Sequence, residues 1–217
     1  MLRLFIFLLA LSHGEGLSQN PTVPGGVLGS ARCDLRPFLR SVRAMVIDVG
    51  NGIVLSAFRA DDTEVCTGLL QEAEIHRGLS LMPNPYRQED FERWLAFVTA
   101  EAERFGRPLQ FAIRDQSGTF LGGCGASQMV VGHKCEIGYW LGKPTWGRGI
   151  MTAVVESLCN YLQRDFQLVR IAATVFEGNL ASMRVLEKNG FAREACLRKY
   201  YLKKERYIDG QLFAKVW

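Results

Sequence analysis

The chain has 217 residues, 48% of them hydrophobic and 22% charged, with a formal net charge of +4. Those totals specify one globular domain, with room for an appendage, and exclude a disordered or collagen-like chain. The charge suits an anionic small ligand and is too mild to argue for nucleic acid by itself. The 6 cysteines (33, 66, 124, 135, 159 and 196) contain no Cys-x-x-Cys pair, and His13, His76 and His133 are scattered, so no zinc spacing is present and no metal site is expected. The thiols are expected to be reduced and partly buried. No Gly-x-x-x-x-Gly-Lys-Ser/Thr occurs, which argues against a nucleoside-triphosphate P-loop.

The N-terminus follows signal-peptide grammar. Arg3 precedes the apolar run Leu4–Leu11, and Ala10 and Ser12 suit cleavage after Ser12. The run is too short to span a membrane as a helix. Residues 13–31 are rich in Gly, Pro and Ser and read as linker. Residues 1–44 therefore form a signal-like or linker segment, either a real targeting segment or an artefact of start-codon assignment, and residues 45–217 form the domain.

The elements follow in order. Gly52–Phe58 is a strand. Asp61-Asp-Thr-Glu64 offers a capping box for a helix ending near His76. Pro83-Asn-Pro-Tyr-Arg87 is a loop. Glu89–Phe105 is an amphipathic helix with Phe91, Trp94, Leu95 and Val98 on one face. Leu109–Arg114 and Thr119–Gln128 are strands joined across Asp115-Gln-Ser-Gly118. After the turn Gly132-His-Lys134 comes the strand Cys135–Leu141, then a Gly-rich turn and a helix from Ile150. That helix has apolar residues at Ile150, Ala153, Val154, Leu158, Tyr161 and Leu162. Val169–Val175 is a β-branched strand. A short helix follows, capped by Asn179 and ended by Gly190. Two strands close the chain, around Cys196–Tyr201 and Gln211–Trp217. The basic and aromatic run Arg198–Tyr207 reads as a solvated hairpin, the alternative being contact with RNA or an acidic peptide. The order β-α-α-β-β-β-α-β-α-β-β makes an α/β chain with a mixed sheet and helices on both faces.

Two segments carry chemistry. In Glu136-Ile-Gly-Tyr-Trp-Leu-Gly-Lys-Pro-Thr-Trp-Gly-Arg-Gly-Ile-Met-Thr152, a tight turn presents free backbone N–H groups in front of a helix N-terminus. That is an anion site, and Gly147 and Gly149 let the backbone approach a phosphate. The second segment is Asn179-Leu-Ala-Ser-Met-Arg-Val-Leu-Glu-Lys-Asn-Gly-Phe191.

Together, in this order and at this spacing, the two resemble the signatures of the GNAT superfamily of N-acetyltransferases, most closely its RimJ/RimL-type branch. The usual turn motif is Gln/Arg-x-x-Gly-x-Gly/Ala. Here Trp146 stands where Gln or Arg is usual, and Met151 where Gly or Ala is usual. The resemblance spans about Met45 to Trp217 and is most specific from Glu136 to Phe191. It implies the GNAT fold, with splayed parallel strands around acetyl-CoA as co-substrate. Trp140, Leu141, Trp146, Gly147, Arg148, Gly149, Ile150, Met151, Thr152, Asn179 and Ser182 would bind it, with a backbone N–H near Trp140 or Leu141 polarising the thioester.

The resemblance also suggests Glu136 as general base and Ser182 as the proton-handling group near sulfur. Many members carry a Tyr four residues after this Ser, whereas this chain has Leu186. Each residue has a plainer reading. Glu136 would be a strand carboxylate that is solvated or paired, and Ser182 a first-turn hydroxyl bonded to backbone. Arg148 and Arg184 would meet CoA phosphates or remain solvated. The implied activity is acetyl transfer to a primary amine (protein N-terminus, polyamine or small amine) by a cytoplasmic monomer or homodimer. The alternative is an acyl-CoA-binding module without catalysis.

Overall fold

The computed structural model describes residues 45–79, 82–203 and 205–217, so the signal-like segment lies outside the described residues. Eight strands form one sheet in the order β1-β2-β3-β4-β5-β6-β8-β7. They are β1 (Val46–Gly50), β2 (Ile53–Ser56), β3 (Gln110–Asp115), β4 (Phe120–Val130), β5 (Lys134–Leu141), β6 (Arg170–Phe176), β7 (Ala192–Lys203) and β8 (Arg206–Val216). Every neighbouring pair is antiparallel except β5 and β6. The helices are α1 (Thr63–Leu70), α2 (Ala73–Gly78), α3 (Gln88–Phe105), α4 (Ile150–Phe166) and α5 (Leu180–Lys188).

Two elements depart from the sequence reading. The chain begins the fold with a hairpin rather than one strand, because Asn51 (φ 52°) and Gly52 (φ 75°) take the left-handed conformations of a two-residue turn. Asn-Gly between β-branched runs is the sequence signal for that turn. The helix expected from Asp61 to His76 is two helices. Cys66 and Leu70 are buried four residues apart, but Ile75 is buried five further on, out of step with one straight helix. Glu72 turns extended (ψ 125°) and resets the phase. The expected capping box does not form at α1 either. The Asp62 carboxylate accepts instead from the Arg59 amide (2.7 Å) and from the buried Arg114 guanidinium (2.7 Å), fastening the turn before α1 to β3.

Alternation along the strands makes two cores. Phe111 and Ile113 turn to the face covered by α4 and α5, while Ala112 turns to the face covered by α1, α2 and α3. The first core gathers Ile137, Val154, Leu158, Leu162, Leu186 and Phe213. The second is aromatic, with Phe58 edge-on to Trp94 at 4.3 Å between ring centroids. Cys66, Cys124, Cys135 and Cys159 are buried free thiols, and burial pushes their pKa values up, to about 12 for Cys159. They pack as small apolar side chains and are poor nucleophiles.

The site is made by one irregularity in the sheet. The parallel pair β5–β6 is in register only at Lys134↔Arg170, Cys135↔Ile171 and Glu136↔Ala172. Beyond that rung the strands diverge, and the facing edges of Ile137–Leu141 and Ala173–Phe176 have no strand partner. Unpaired edges of this kind can hydrogen-bond an extended, amide-bearing ligand.

Candidate active site

At the open end of the fork the chain leaves β5 through Gly142 and a 3-10 turn at Lys143–Thr145. The Trp146 indole N–H donates to the Leu141 carbonyl (2.8 Å), closing that loop on itself. Trp146 therefore braces the turn. Gly147 (φ 74°) and Gly149 (φ 76°) follow, both left-handed, a conformation that only glycine adopts at no steric cost. A Cβ added to either would meet nothing within 4 Å, so backbone conformation demands the glycines and the space before them is open. Thr152 N–H bonds to Gly149 O at 3.1 Å, while the amides of residues 147–151 make no bond among the described residues. Several amides before a 17-residue helix form a cradle for an anion.

On the other prong, β6 ends at Phe176 and Asn179 starts α5. The Asn179 carboxamide oxygen accepts from the Ser182 amide (3.2 Å), which is the expected cap. Ser182 lines the cleft, and its hydroxyl makes no hydrogen bond among the described residues, so it does not act as a backbone-bonded first-turn residue. The Tyr139 hydroxyl donates to the Ser182 carbonyl (3.2 Å) and ties the prongs together. Burial pushes its pKa up, so it stays protonated.

A cleft of about 690 Å³ runs between the prongs. Trp140, Leu141, Trp146, Gly147, Arg148, Gly149, Ile150, Met151, Thr152, Asn179 and Ser182 all line it. Arg148, Arg184 and Lys188 add positive charge beside the cradle. Lys188 escaped the sequence reading, although it sits one helical turn after Arg184 on the same face.

Glu136 does not line the cleft. It is 8% exposed, at the last paired rung, where its carboxylate accepts from Gln128 Nε2 (2.8 Å) and Thr174 Oγ1 (2.8 Å). Glu136 shares its strand face with Trp140, toward the helices α1–α3. The Tyr201 phenol, raised in pKa by burial and then by the Glu136 charge, lies nearby.

The sequence also missed the wall opposite α5. Glu74, Ile75, Arg77, Gly78 and Leu79 of α2 and its end line the cleft, with Phe176, Glu177 and Ile208. A Cβ at Gly78 would come 3.9 Å from Asn179 Nδ2, so the end of α2 lies directly across from the α5 cap. No group of His, Cys, Asp and Glu among the described residues can hold a metal ion. No helix among them is long and apolar enough to cross a membrane.

A model of the acetyltransferase (GNAT) domain matches residues 53–192. The chain belongs to the GNAT acetyltransferase family. Among its relatives, the probable N-acetyltransferase YjcK of Bacillus subtilis is 49% identical over 63 residues, 29% of this chain and 35% of that protein. The match thus spans about a third of YjcK's length. An uncharacterized N-acetyltransferase, p20, of Bacillus licheniformis is 26% identical over 164 residues, 75% of this chain and 91% of its own. Among solved structures, RimL, a ribosomal L7/L12 alpha-N-protein acetyltransferase in complex with coenzyme A, superposes with a TM-score of 0.71 at 20% identity, covering 79% of this chain and 98% of that one. At that identity the likeness concerns the fold.

Proposed function

We propose that this domain transfers an acetyl group from acetyl-CoA to a primary amine by direct attack. The observation that carries the reading is the continuity of one cleft. It joins an anion cradle at the α4 N-terminus, two unpaired strand edges, and the Ser182 hydroxyl across the fork. The cradle and Arg148 take the pyrophosphate, and the strand edges pair with the amides of the pantetheine arm. The amine nitrogen forms a bond to the thioester carbonyl carbon, the carbon–sulfur bond breaks, and CoA leaves as a thiol that has gained a proton. A backbone N–H near Trp140 or Leu141 polarises the carbonyl.

In this reading a bridging water carries the proton from the ammonium to Glu136, which stands behind the cleft wall, and Ser182 bonds the departing sulfur. Glu74 is the poorer candidate base, because the hydrogen bond from Lys143 lowers its pKa. The amine belongs to a protein N-terminus, a polyamine or a small molecule. RimL, with the same fold, acts on a protein α-amine, which favours the first. The test is release of free thiol from acetyl-CoA across peptides with free N-termini, polyamines and small amines. Tight binding with no thiol release from any of them would make the domain an acyl-CoA-binding module.

A further inference from the structure

We infer that Lys203, on the hairpin between β7 and β8, is the positioning residue of the amine-binding wall. The inference rests on the acetyltransferase reading, and it assigns the acceptor half of the same cleft. The wall is α2 with its C-terminal turn, six helical residues followed by Leu79. Within α2 only Ile75 is buried, so packing against the core does little to fix it. Polar ties fix it instead. The Lys203 ammonium donates to three backbone carbonyls at the end of the helix, those of His76 (2.6 Å), Arg77 (3.2 Å) and Leu79 (2.7 Å). An ammonium can donate three hydrogen bonds, and three carbonyls lie within reach of this one. The last carbonyls of a helix lack intrahelical partners and carry negative partial charge, so a cation there is favoured twice.

The tie also reaches the cleft wall at the end of β6. The same ammonium lies 5.3 Å from the Phe176 ring centroid, and Phe176 lines the cleft at the end of β6. Phe176 packs edge-on against Tyr201 at 4.4 Å, which fixes the hairpin against the prong. Across the gap the end of α2 faces Asn179, the cap that also sets Ser182. At its other end α2 is tied by Glu74 to Lys143 (2.7 Å), an exposed pair that solvent screens. Losing Lys203 therefore frees the wall where the amine must approach, and leaves the anion cradle untouched.

The experiment uses the full chain with Lys203→Met, which cannot donate, and Lys203→Arg, which can. Acetyl-CoA affinity is measured by calorimetry. Turnover is measured with spermidine and with a hexapeptide bearing a free N-terminus. Lys203→Met should raise the KM for the amine by about tenfold or more while acetyl-CoA affinity stays within about twofold, the split expected when only a positioning contact is lost. Lys203→Arg should restore most of the difference. Amide hydrogen exchange of residues 73–79 in the acetyl-CoA complex should rise by about tenfold in Lys203→Met.

An unchanged amine KM in Lys203→Met, with an active wild type, overturns the inference alone. Equal loss of acetyl-CoA affinity overturns it too, because the wall would then serve the cofactor. A wild type that releases no thiol with any peptide, polyamine or small amine removes the acetyltransferase reading. In that case exchange at 73–79 still decides whether Lys203 holds α2.

Discussion

In the proposed reading, the cofactor half and the acceptor half of the cleft are built in opposite ways. The cofactor half is one stretch of chain from β5 through α5, and each of its features has a local cause. Left-handed glycines shape the turn, a helix N-terminus supplies the amides, and an Asn caps the second helix. The acceptor half is assembled from pieces far apart in the chain. Lys203 reaches back 127 residues to His76, and Ile208 lines the same cleft as α2. Local sequence can specify an anion cradle. An amine pocket made by long-range contacts can change with little effect on the cradle. Substitutions in the two halves should accordingly separate cofactor affinity from amine affinity.

The largest separation is expected at Gly149. A β-branched residue at φ 76° is strained by roughly 1–3 kcal/mol and distorts the turn that aims the amides. Gly149→Val should lower acetyl-CoA affinity by about 100-fold or more in a folded protein, since misplaced donors lose most of their value. Calorimetry showing near wild-type affinity would end the cradle assignment.

Next comes Glu136→Gln, which should lower kcat by about 100-fold with little change in acetyl-CoA affinity. The loss should shrink as pH rises, because more of the amine is then already neutral and needs no base. A flat ratio of wild-type to variant kcat across pH would mean that the buried carboxylate only holds Gln128 and Thr174. Glu177→Gln makes the useful contrast, since Glu177 lines the cleft where Glu136 does not. A larger kcat loss there would move the base to the end of β6.

Ser182→Ala should cost less, about tenfold in kcat, because water can protonate a thiolate whose conjugate acid has a pKa near about 8.5. The α5 cap should survive, because it uses the Ser182 amide and not the hydroxyl. A fall in melting temperature matching the fall in kcat would assign Ser182 a structural part.

The smallest effect concerns residues before Met45. A chain beginning there keeps β1 whole and should fold and bind acetyl-CoA within about twofold of the full chain, since few native contacts of a terminal segment cross a domain boundary. Insolubility would place part of residues 1–44 in the fold.

These contrasts match what was legible in the residues. The cradle and the α5 cap could be read because turns and caps are set within a few residues by φ and by a side-chain oxygen, whereas the fork was expected only from the family resemblance. Asn51-Gly52 was equally local, and its turn signal went unused. The break between α1 and α2 depended on where Leu70 and Ile75 meet an aromatic core supplied by Phe58, Phe91 and Trp94, and no local pattern carries that. The same holds for Asp62, a cap residue by type, which the buried Arg114 recruits from 52 positions away. Glu136 could be found by position, but its two hydrogen bonds and its absence from the cleft wall followed from the register of β4, β5 and β6. Lys203 looked like one basic residue in a solvated hairpin until the end of α2 was seen beneath it.

The most direct test of the central claim is one titration read two ways, with acetyl-CoA binding followed by calorimetry and free thiol counted after each amine is added. The account predicts binding that Gly149→Val removes, and thiol release that depends on the amine and matches the acetylated amine mole for mole. Binding of normal strength with no amine-dependent thiol would contradict it.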